Sequence, residues 1–95
     1  MTLDEFKATR HAAAPPAGTS ELLLALWHDG RNDWEQAHRV AQEIDTAAGA
    51  RVHAYLHRKE GDASNAAYWY RRAETSICQT TLEEEWEQLA SEFLG

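Results

Sequence analysis

The sequence predicts an all-α protein built as two stacked antiparallel helical hairpins, with a C-terminal capping helix and a short N-terminal helix. Three observations carry this. Apolar residues recur at three- and four-residue steps in several separate stretches, and no stretch alternates as a strand would. Ser, Thr, Asp and Asn residues stand just ahead of those stretches, where helix caps belong. Two segments also align on one another at an offset of 29 residues, Asn32-Asp33 over Gly61-Asp62.

The elements follow in order. Thr2-Leu3-Asp4-Glu5 is a capping box that predicts a short helix to about Arg10. The run from His11 to Gly18 contains Pro15 and Pro16 and ends that helix. Residues 1–18 therefore read as an N-terminal arm and Pro/Ala linker, and residues 19–95 as a single helical-repeat-like domain. Thr19 or Ser20 caps the next helix, with Leu22, Leu23, Leu26 and Trp27 apolar and Gly30 as its stop. Asn32 caps the helix after it, whose inward face is Trp34, Ala37, Val40, Ala41 and Ile44. A third domain helix is expected from about Ala50 to Lys59, and Gly61 ends it. Asp62 caps a fourth, carrying Ala66, Trp69, Tyr70 and Ala73 to about Ser76. In the last helix Leu82, Trp86, Leu89 and Phe93 form an amphipathic stripe behind a cap at Thr80 or Thr81.

The repeat has a physical logic. The 29-residue shift lays Ala25 over Ala54, Ala37 over Ala66, Trp27 over Leu56 and His28 over His57. Small residues let paired helices approach closely, and bulky ones around them fill the gaps. With Gly61-Asp62-x-x-x-Ala66-x-x-x-Tyr70-x-x-Ala73 and the Tyr68-to-Ala73 run, residues 20–75 resemble the tetratricopeptide and Sel1-like repeats. The resemblance implies a protein- or peptide-binding module whose third helix lines the binding groove. The spacing is shorter than that family's usual period of about 34 residues, and no Pro closes either repeat. The His53-to-Asp62 stretch and the Tyr-Trp-Tyr-Arg-Arg run after it also look like a set of short uncharacterised bacterial proteins, a likeness that implies no activity.

Charge sorts the partners. The net charge is −7, distributed unevenly. Residues 51–73 hold five basic and two acidic groups, while residues 74–95 hold six acidic and no basic ones. An acidic end beside a basic middle predicts pairing within the chain, and it opposes nucleic acid, which needs uncompensated Lys and Arg. The longest apolar run, Leu22 to Trp27, is far short of a membrane span. The single cysteine, Cys78, and the lack of a signal-like stretch point to the cytoplasm.

Two candidate sites stand out. Arg51, Tyr55, Arg58 and Lys59 share the third domain helix and would form a basic, aromatic surface for a protein or acidic peptide, or for a second copy of the chain in a homodimer. Their plainer reading is as solvated charges that suit the helix C-terminus. His53 and His57 are one helical turn apart, which is metal-ligand spacing. A third ligand would come from His28 on the repeat-related helix, from His38 or from Glu60, and such a set with an open position suits zinc. Their plainer reading is packing at helix contacts with no cofactor. No catalytic pattern is present: there is no HExxH, no CxxC and no phosphate loop. The sequence thus favours a non-enzymatic interaction module. A small His-based metal- or ligand-binding protein, an enzyme included, is the alternative.

Overall fold

Six side-chain caps set the frame. In the computed structural model, which describes residues 1–95, Thr2, Ser20, Asp33, Thr46, Asp62 and Thr81 each accept a hydrogen bond from a backbone N–H in the first turn of a helix. The helices they start are α1 (Leu3–Ala8), α2 (Glu21–Gly30), α3 (Trp34–Gln42), α4 (Ala47–Glu60), α5 (Ala63–Arg72) and α6 (Leu82–Leu94). There is no strand. A cap of this kind is worth about 1 kcal/mol, so the boundaries are set locally before packing selects among them.

α2 packs on α3 and α4 packs on α5, and α3 and α4 bring the two pairs together. The 29-residue correspondence holds in the turns. The Asp33 amide donates to the His28 carbonyl and the Asp62 amide to the His57 carbonyl, both at 2.9 Å. The left-handed residue in each turn is Asn32 (φ 65°) or Gly61 (φ 91°). Ala25, Ala37, Ala54 and Ala66 are all buried, as close helix approach requires.

Several boundaries differ from expectation, each for a physical reason. α2 does end at Gly30, which is its last residue. A Cβ there would sit 2.4 Å from Arg10 Cδ and 3.3 Å from Trp86, so this glycine makes room for Arg10, just after α1, and for Trp86 of α6. Asn32 occupies the left-handed position and leaves the capping to Asp33. α4 starts at Ala47 because Thr46 caps it, and Gly49 tolerates a close approach by Ile44. α5 ends at Arg72, ahead of Glu74 in the left-handed region (φ 58°).

The segment read as an arm is docked on the rest. Phe6 is 1% exposed and stacks on Trp86, ring centres 5.7 Å apart. The Trp27 indole N–H donates to the Thr9 carbonyl at 2.9 Å. The main core thus includes Phe6, Leu26, Trp27, Leu56, Trp86 and Leu89, drawn from α1, α2, α4 and α6. α6 packs across α2 and α4, and its indole Trp86 donates to the Leu26 carbonyl. No helix is long and apolar enough to cross a membrane.

Candidate functional site: a three-histidine cluster between the helix pairs

The site sits where α3 meets α4. On α3, Trp34, Ala37, His38 and Ala41 share the face turned inward. Trp34 fixes the register by donating its indole N–H to the Leu56 carbonyl on α4 at 2.7 Å. That register sets His38 against the His53–His57 pair. One ring nitrogen from each of His38, His53 and His57 lies within 4.8 Å of the others.

Aromatic rings hold the imidazoles in place. Trp34 stacks on His38 at 4.9 Å, and Trp69 of α5 stacks on His53 at 3.9 Å. His53 and His57 stack on each other at 4.8 Å, as the one-turn spacing on α4 allows. His53 is 6% and His57 7% exposed, while His38 is half-buried.

Every polar ring atom that is fully buried has a partner. His38 Nε2 and His53 Nε2 are 2.9 Å apart, so one carries a proton that the other accepts. His57 Nδ1 is 2.6 Å from Glu60 Oε2 and donates to it when protonated there. Burial, followed by the neighbouring His38 and His57 rings, pushes the His53 pKa down to about 4. Burial also lowers His38, helped by His57 and opposed by Glu60. His38 and His53 are therefore neutral near pH 7, the form in which imidazole ligates metals.

A tetrahedral zinc site holds its nitrogen ligands about 3.3 Å apart, from bonds of about 2.0–2.1 Å. Here His38 Nε2 and His53 Nε2 are 2.9 Å apart, and the three ring nitrogens lie within 4.8 Å of one another. Glu60 stands behind His57 as metal-ligating histidines commonly require: a carboxylate on Nδ1 orients the ring and leaves Nε2 for the ion.

Of the three residues considered as a third ligand, the structure brings in His38. Glu60 is an outer partner of His57. His28 lies outside the group, half-buried on α2 with its ring edge-on to Trp27 at 5.2 Å. The 29-residue shift relates α2 to α4 and α3 to α5, and so says nothing of the α3–α4 contact that creates the cluster. One signal pointed there: His38 follows Trp34 by one turn and precedes Ala41 on the same inward face.

The surface expected of α4 is engaged from within the chain. Tyr55 is 2% exposed and donates its hydroxyl to Asp29 at 2.7 Å. Lys59 pairs with the same carboxylate at 2.9 Å. Arg51 pairs with Glu92, and Arg58 with Glu85, both at 2.7 Å. Tyr70 donates to the other Glu85 oxygen. Asp29 and Glu85 are thus each held between a phenol and a cation, and that is how two buried carboxylates remain satisfied. Burial, with those carboxylates alongside, raises the pKa of both tyrosines. The basic middle of the sequence and its acidic end meet here, α6 against α4.

Compared with family models, curated proteins and solved structures, the chain finds no match.

Proposed function

We propose that the protein binds one divalent transition-metal ion of the zinc class through His38, His53 and His57. The observation that carries this is the convergence of three imidazoles from two helices, with His38 stacked on Trp34, His53 stacked on Trp69 and His57 oriented by Glu60. Three neutral nitrogen donors leave zinc a fourth position for an outside ligand. The fold around them is read as two hairpins of the tetratricopeptide and Sel1-like kind, supported by the equivalent turns at Asn32-Asp33 and Gly61-Asp62. The alternative of a protein or peptide bound on α4 draws less support, because Tyr55 is buried and Arg51, Arg58 and Lys59 are paired internally.

The test uses untagged protein. Zinc should bind at one equivalent, and zinc at about a hundred times its Kd should stabilise the fold by about 2.7 kcal/mol. His38→Gln should remove tight binding and His28→Gln should leave it intact. Glu60→Gln should weaken binding by roughly ten- to a hundredfold, the usual effect of losing a carboxylate behind a ligating histidine. Absence of stoichiometric binding, or equal losses in His28→Gln and His38→Gln, would overturn the reading.

A further inference from the structure

Four cavities indent the surface, and one is lined by a histidine of the cluster. It measures about 310 Å³ and is half open to solvent. His53 lines it beside Trp69 and Arg72 of α5, with Ala41 and Ile44 from the α3 side and Asp45 at the rim. The volume is at the lower end for small-molecule sites, enough for a compact ligand and too small for a folded partner.

We infer that this cavity holds a small carboxylate with an apolar body, which completes the coordination of a metal ion bound by His38, His53 and His57. The inference rests on the metal-binding reading above. First, His53 belongs both to the cluster and to the cavity wall, and no other cavity is lined by a cluster histidine, so this is the cavity that adjoins the cluster. Second, the charge there favours an anion. Three neutral imidazoles leave a divalent ion its full charge. Arg72 adds a permanent cation that no carboxylate in the chain pairs with. It donates to the Tyr68 hydroxyl at 2.8 Å and lies over the Trp69 ring at 5.4 Å, which holds it at the cavity edge. Asp45 is the one opposing carboxylate, and it is exposed at the rim. Third, the Trp69 ring, Ile44 and Ala41 supply apolar surface for a ligand body that Arg72 and the metal could not hold alone.

Cobalt(II) replaces zinc in such sites and makes the coordination visible in its d–d bands. The experiment adds benzoate to the cobalt-loaded protein, with benzamide as the uncharged match. Benzoate should shift the bands saturably and benzamide should not. Arg72→Gln, a change at an exposed side chain, should raise the benzoate Kd about tenfold, the usual worth of one charge-assisted bond, with cobalt affinity unchanged. Bands that benzoate does not move, equal binding in Arg72→Gln, or equal effects of benzamide would overturn the inference and leave the metal site standing. Failure of cobalt to give any ligand-field spectrum would remove both.

Discussion

Acid should destabilise the metal-free protein well above the range where carboxylates titrate, and His53 is the main reason. The ring's pKa falls from an ordinary 6.5 to about 4 on folding. The unfolded chain therefore binds more protons than the folded one between those values, and stability rises with pH there. The contribution is complete above about pH 7, falls as pH drops through 6.5 toward 4, and amounts to about 3 kcal/mol. By pH 5 about 2 kcal/mol of it should be gone. His38 acts in the same direction, since burial and His57 lower it as well. The other charges near this pair are Glu60 beside His57, and Arg72 and Asp45 around the cavity. The assay is urea unfolding followed by tryptophan emission, in chelator, at intervals from pH 8 to pH 4.5. His53→Phe keeps a flat ring against Trp69 and removes the titration. Its stability should fall much less between pH 7 and pH 5 than that of the native chain. A native stability that is flat across this interval, or a slope unchanged by His53→Phe, would refute the reasoning.

Two further outcomes test the packing. Tyr55→Phe leaves the buried Asp29 Oδ2 without its phenol while Lys59 keeps Oδ1; chemical denaturation should show a loss of about 1–3 kcal/mol. Ala54→Leu forces extra methylenes into the α4–α5 contact and should cost about 1–3 kcal/mol by the same measurement, whereas a neutral result would mean that the helices do not approach through their alanines.

What the sequence disclosed and what it withheld differ in kind. Helices whose ends are written in local chemistry were legible: Thr2 with Glu5, Ser20, Asp62 and Thr81 all start helices as their side chains predict. The alanine contacts were legible too, since a residue with no side chain beyond Cβ has few other uses on an inward helix face. Less was legible where one residue type serves two ends. Gly30 reads as a stop and does end α2, but nothing local says that its missing side chain also makes room for Arg10 and Trp86. Phe6 is a single aromatic on a six-residue helix, and nothing local says whether such a residue docks; its partner Trp86 is 80 positions away. The basic residues of α4 were placed on the correct helix. Arg51 and Arg58 meet the acidic helix α6, as the charge segregation implies, while Lys59 meets Asp29 of α2, which no short motif announces.

The histidine cluster belongs to a third kind. His53 and His57 declare themselves by spacing on one helix. His38 joins them only through the packing of α3 on α4, which Trp34 fixes by its bond to Leu56. The cluster is also not what holds the chain together. The core of Phe6, Leu26, Leu56, Trp86 and Leu89 lies elsewhere, and the cluster's hydrogen bonds close without any ion: His38 to His53, His57 to Glu60. A zinc finger needs its metal to fold because it has little other core. Here the imidazoles are held in place by stacking indoles and a folded scaffold. On the proposed reading, an ion would replace the His38–His53 hydrogen bond with no chain to order. Such a preformed site uses little of its binding energy on folding. On the proposed reading, the ion's fourth position would be left to a ligand in the adjoining cavity.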